Sequence, residues 1–138
     1  MRLALGTVEF GMNYGVAASS SRPSVEDIAK ILDEAGAAGV DILDTAHQGH
    51  AKNYVHTMDS ELYDSILILG GDGTINEILN GILSRTDGYL PTFGFLPGGT
   101  GNSVLHDLEY LDPISALQPL INDNIKYIDV MALQFQCF

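Results

Sequence analysis

A chain of 138 residues has room for one compact domain around a single core, and its 46% hydrophobic content is that of an ordinary globular protein rather than a disordered one. Six basic residues face eighteen acidic ones, a net charge of −12. Arg2, Arg22, Lys30, Lys52, Arg85 and Lys126 are scattered singly, which excludes nucleic acid as a partner, because that would require a basic stripe.

No apolar run approaches the roughly 20 residues needed to span a membrane, so no membrane insertion is expected. The start of the chain lacks the pattern of a secretion signal. Cys137 is the one cysteine and cannot form an internal disulfide, which fits a reducing, cytoplasmic compartment.

Taken in chain order, strands and helices alternate. Leu3–Val8 is a short apolar strand, followed by the loop "EFGMNYGVAASSSRP". "SVEDIAKILDEAGAAG" carries a helical period through Ile28, Ile31, Leu32 and Ala35. Ser24 and Asp27 form a capping-box-like start, and Gly39 is the stop. Val40–Leu43 reads as a second strand, with a helix beginning near His50. Ser65–Leu69 is a third strand, and "TINEILNGIL" is a helix with Ile75, Ile78, Leu79 and Ile82 on one face. Thr92–Leu96 is a fourth strand, with a short helix after "PGGTGN". "PISALQPLI" supplies a further helical turn, and Ile125–Leu133 reads as a fifth strand. Apolar strands separated by helices predict a mostly parallel sheet covered on both faces: a single-domain, three-layer α/β/α sandwich of Rossmann-like or flavodoxin-like type. Ligands of such sheets bind at the carboxyl ends of the strands.

Both glycine-rich turns sit at such ends. In "GGDGT", Gly70, Gly71 and Gly73 let a ligand approach the backbone, and free amides at the helix start near Thr74 and Ile75 favour an anion. Asp72 adds a carboxylate suited to orienting a hydroxyl or a magnesium-bound water, or to capping a helix. "PGGTGN" repeats the logic with Gly98, Gly99 and Gly101, and with Thr100 and Asn102 as donors. A lone turn of this kind is most often a tight connection. Two at corresponding strand ends point to a phosphate site.

"GGDGTINEILNGIL" followed by "FGFLPGGTGNSVLHDL" resembles the nucleotide-binding lobe of the diacylglycerol kinase and sphingosine kinase family. The resemblance runs from about Thr45 to Gln134. It implies that the GGDGT turn, Gly70 to Asn76, holds ATP phosphates, and that Thr45 and Thr100 also contact nucleotide. Mg-ATP or ADP is then the expected ligand. Two departures stand beside it: no Asn-Pro-x-(Ser/Gly)-Gly loop follows the first strand, and the chain ends at Phe138, near where the family's β-rich second lobe begins. No efficient kinase is expected on that basis, with Asp72 an inherited candidate and no catalytic set intact.

The opening stretch, "LALGTVEFG…DILDTA", resembles the first β-α-β unit of the aldo-keto reductases over Leu3 to about Ala46. Asp44 matches a tetrad aspartate there, but the tyrosine position is Gly49 and most of the barrel is missing. Asp44 is thus expected to be an orphan, and no NADP is expected. The two resemblances meet at Thr45 and Ala46, so the chain reads as an engineered chimera, reductase-like over 1–46 and kinase-like over 47–138. Such a chimera would be a scaffold that retains at most weak nucleotide binding. Surface exposed by the missing parts would favour a homo-oligomer. The alternative is the nucleotide-binding domain of a lipid kinase.

Other tempting residues have plainer readings. His47, His50 and His56 lack the spacing of a zinc site and are expected to cap or face solvent, so no metal site is expected. Asp59, Glu61 and Asp64 form a solvated acidic loop. Phe10, Met12 and Tyr14, within the loop over 9–23, pack over the sheet end.

Overall fold

The computed structural model describes residues 3–8, 40–98, 101–109, 115, 116, 118, 119, 122 and 124–133, with residues 3–8 and Val40 as backbone. The first helical stretch, the loop over 9–23, Gly99, Thr100 and most of the "PISALQPLI" turn lie outside the described residues.

Among the described residues seven elements are defined. They are β1 (Leu3–Val8), β2 (Val40–Thr45), α1 (His50–Thr57), β3 (Ser65–Gly70), α2 (Asp72–Leu83), β4 (Thr92–Pro97) and α3 (Ser103–Asp107). The strands form one parallel sheet in the order β2-β1-β3-β4. Leu3 pairs with Val40 on one side and with Ser65 on the other, and Ser65 pairs in turn with Thr92, so the carboxyl ends of all four strands lie along one edge. The strand order reverses between β1 and β3. In open parallel sheets that reversal opens a crevice at the carboxyl ends.

Every residue of β3 is buried. Ile66 and Ile68 join a core with Ala51, Val55 and Met58 from α1 and its exit, and with Ile75, Ile78 and Ile82 of α2. Leu67 and Leu69 point to the opposite face and are just as buried, so β3 is covered on both sides, as the three-layer expectation requires. Each such side chain contributes about 1.5–3 kcal/mol by leaving water. Ile75, Ile78 and Ile82 follow the helical period, which explains why α2 lies along β3.

α1 and α2 cross at Gly81. A β-carbon there would sit 2.5 Å from the Lys52 carbonyl oxygen and collide with Val55, so only glycine permits this approach. The end of α1 is held by Arg85, whose Nη1 donates to the carbonyls of Val55 (2.7 Å), His56 (3.2 Å) and Met58 (2.9 Å). These are carbonyls a helix end leaves unpaired. The same guanidinium pairs with Asp87 and lies 5.2 Å from the Tyr89 ring centre. Hydrogen bonding from Arg85, aided by the Tyr89 amide, holds the Asp87 carboxyl well below the usual carboxylate range. The Tyr89 hydroxyl donates to the Tyr63 carbonyl (2.7 Å), and the Tyr63 hydroxyl donates to Asp41 on edge strand β2 (2.9 Å).

The fifth strand is the correction. Residues 124–133 hold neither strand nor helix and are exposed throughout, with Tyr127 at 98% and Met131 at 84% exposure. Their apolar pattern suits a pleated surface, but a strand exists only where a ladder partner accepts its hydrogen bonds. Among the described residues, no helix is long and apolar enough to cross a membrane.

Two outcomes follow from this packing. Gly81→Ala gains helix propensity of about 1 kcal/mol, yet the collision with α1 makes it a net loss of about 1–2 kcal/mol in denaturant melts. Asp87 titrates lower in the folded chain than in the unfolded one. Its pairing with Arg85 therefore stabilises fully above the normal carboxylate range and is lost as pH falls through and below about 4. Acid melts of Asp87→Asn should converge with those of the parent at low pH and separate from them above it.

Candidate functional site

The site is the edge where β2, β3 and β4 end. β3 stops at Gly70, and a β-carbon at Gly70 would lie 2.6 Å from Thr74 Oγ1, inside the first turn of α2. Next to it, the Gly98 amide donates to the Gly70 carbonyl at 3.1 Å. A β-carbon at Gly98 would meet the Gly70 nitrogen at 2.8 Å. The two glycine turns are thus backbone neighbours, locked together by the lack of side chains.

Asp72 completes the lock. The Ser103 hydroxyl donates to its Oδ2 (3.0 Å), and the Val104 amide reaches Oδ1 (3.4 Å). Asp72 therefore caps not its own helix but α3, across 31 positions of sequence. The N-cap of its own helix is Gly71, which has no side chain to cap with. Gly101 sits against the same carboxylate, since a β-carbon there would fall 2.9 Å from Oδ2. Asn102, at φ +49°, leads into α3.

The amides need a correction. Those of Thr74 (3.1 Å) and Ile75 (3.2 Å) both turn back to the Gly71 carbonyl. By the geometry of a helix start, the amides that project beyond it are those of Asp72 and Gly73. Gly73 is exposed, and a β-carbon there would meet nothing within 4 Å. Its backbone is outside the left-handed region, so neither conformation nor protein packing demands glycine at this position. Asn76 is exposed and receives the Asn80 amide group, one turn further on, at its carbonyl and side-chain oxygens.

Thr45 is buried at the end of β2, and Asp44 beside it is exposed. In the loop that follows, the Ala46 amide donates to His50 Nδ1 (3.0 Å) and the His47 ring stacks on His50 at 5.2 Å. His56 shares a hydrogen bond with Ser84 (2.9 Å). The histidines make only these local contacts, and among the described residues no group of three or more metal-binding side chains comes together. Asp59 accepts the Glu61 amide within an exposed turn.

Sequence reasoning did not find Ser103 or Glu77. Glu77 accepts the Gly49 amide at 2.8 Å. The spacing from Gly73 to Glu77, one helical turn, was the available signal. Gly99 and Thr100 lie outside the described residues.

A parallel sheet whose strand order reverses at its centre, with paired glycine turns at the ends of neighbouring strands, is an α/β arrangement of the kind that binds ligands at the strand ends. Residues 15–133 match the diacylglycerol kinase catalytic domain, and the chain belongs to that family. It is 31% identical over 131 residues to sphingosine kinase 2 of Arabidopsis thaliana, covering 87% of this chain and 26% of that protein. Against sphingoid long-chain bases kinase 1 of the same plant it is 36% identical over 101 residues, covering 70% of this chain and 13% of that protein. The chain thus spans about a quarter or less of the length of these relatives. The crystal structure of a diacylglycerol kinase from Bacillus anthracis str. Sterne superimposes with a TM-score of 0.62 at 25% identity, over 91% of this chain and 43% of that one. These matches support the kinase resemblance and not the reductase one. The family match begins at residue 15 and extends across Thr45, where the two resemblances meet.

The Asp72 link is open to test. Asp72→Ala should cost about 1 kcal/mol through loss of the α3 cap. Ser103→Ala should cost less, because the Val104 amide still has its acceptor. Chemical denaturation of both variants reads the difference.

Proposed function

We propose that this chain is the nucleotide-binding part of a lipid kinase, and that it holds the phosphates of ATP over the start of α2. The observation that carries this is Gly73. A β-carbon there would meet nothing within 4 Å among the described residues, which leaves room for a ligand before the Asp72 and Gly73 amides. Amides at a helix start, backed by the helix dipole, favour an anion. A chain with net charge −12 and scattered basic residues can hold phosphate in this way without a lysine.

These residues fit a nucleoside triphosphate. Asp72 already accepts hydrogen bonds from α3, and magnesium would reach this part of the site with the phosphates it accompanies. When bound, ATP supplies the transferable phosphoryl group. The chain's own part is to position it, and positioning with charge neutralisation is most of what such transfer requires. The names of the relatives indicate a sphingoid base or a diacylglycerol as acceptor, through its hydroxyl.

The second reading, a spliced scaffold whose product is the fold itself, is favoured less because the family match extends across the proposed join. Calorimetric titration of Mg-ATP separates the two. The kinase reading expects saturable binding in the micromolar-to-millimolar range. Gly73→Val should abolish that binding while leaving the melting temperature unchanged or higher. An absence of heat from a cooperatively melting parent protein would replace this reading with the scaffold.

A further inference from the structure

The hydrogen bond from the Gly49 amide to Glu77 Oε1 spans 28 positions of sequence and joins the loop after β2 to the middle of α2. Gly73, Glu77 and Gly81 succeed one another at four-residue spacing and so share one face of the helix. At its lower end that face lies against Lys52 and Val55 of α1, through Gly81. At its upper end it opens over Gly73. A ligand seated over the Gly73 amide is therefore on the side of α2 that looks toward residues 45–49. β1 separates β2 from β3, so their ends are about 10 Å apart at the usual strand spacing. That is longer than a triphosphate chain and within the reach of a nucleoside triphosphate.

Gly49 has a φ of +83° and starts α1, which has no side-chain cap at that end. The Glu77 carboxylate takes that role from another helix, and a charged acceptor holds an amide more strongly than a neutral one.

We propose that Glu77 is a positioning residue that fixes the separation between the phosphate end and the nucleoside end of the site. It acts through Gly49 rather than on the ligand, and the inference rests on the nucleotide reading above. Holding the 45–49 loop against α2 sets where Thr45 meets the nucleoside, while the amides of Asp72 and Gly73 meet the phosphates.

The test is calorimetric titration of magnesium-loaded ATP and magnesium-loaded inorganic tripolyphosphate into the parent protein, Glu77→Ala and Glu77→Gln. Both variants remove the same negative charge, but only glutamine keeps an oxygen to accept the Gly49 amide. Glu77→Ala should weaken ATP about tenfold, as for a lost hydrogen bond to a charged group, and leave tripolyphosphate within about twofold. Glu77→Gln should recover most of the ATP affinity. Equal loss of both ligands, unchanged ATP affinity in Glu77→Ala, or no recovery in Glu77→Gln would overturn the proposal. Should the alanine variant not fold, Glu77→Asp, which draws the carboxylate back by one methylene, carries the same comparison of ATP with tripolyphosphate. A parent protein that binds neither ligand overturns the nucleotide reading itself, and this inference with it.

Discussion

Burial of β3 on both faces is the constraint from which the rest of the structure follows. A strand flanked by β1 and β4 and covered above and below can carry nothing but apolar side chains, and Ile66 to Leu69 meet that demand without a break. The same constraint dictates where the strand must end. At Gly70 the chain leaves the core, meets Gly98 on the neighbouring strand and turns into α2. Because the sheet is parallel and the registers are fixed at Ser65 and Thr92, the two glycine turns emerge side by side. The crevice is thus a by-product of how the centre of the sheet is buried.

Around that edge the chain substitutes long-range hydrogen bonds for local caps. α2 and α3 begin without a side-chain cap of their own, and so does α1. Asp72 serves α3, Glu77 serves the start of α1, and Arg85 serves its end. Each link crosses from one element to another, so the helix ends are satisfied only when the tertiary structure is assembled. The acidic composition suits this economy: carboxylates take amides at helix starts, where the dipole favours them.

Much of this could be read from the residues. The four described strands fall within two residues of their expected bounds, because short apolar runs bounded by turn residues leave few alternatives. α2 was legible from Ile75, Ile78 and Ile82. The failures share a cause, which is that sequence pattern specifies a surface but not its partner. Residues 124–133 have the pattern of a strand and no ladder among the described residues. Asp72 could be seen as a cap, but not as the cap of a helix 31 positions away. Nor does the sequence show that the Thr74 and Ile75 amides turn back to the Gly71 carbonyl, which is a matter of backbone geometry. The four-residue step from Gly73 to Glu77 marks a shared helix face, but nothing in the sequence names Gly49 as the partner of Glu77. The kinase resemblance, by contrast, rests on paired motifs, and the family match over residues 15–133 agrees with it.

The close crossing at Gly81 reaches further than its own neighbourhood. Eight residues of helix separate it from Gly73, about 12 Å at the usual rise, so α2 is a lever with its fulcrum at α1. A tilt of about 10° at the crossing would carry the far end by about 2 Å. Volume at a buried glycine therefore sets alignment at an exposed one, and evolution can retune the mouth of this crevice without touching a residue that lines it.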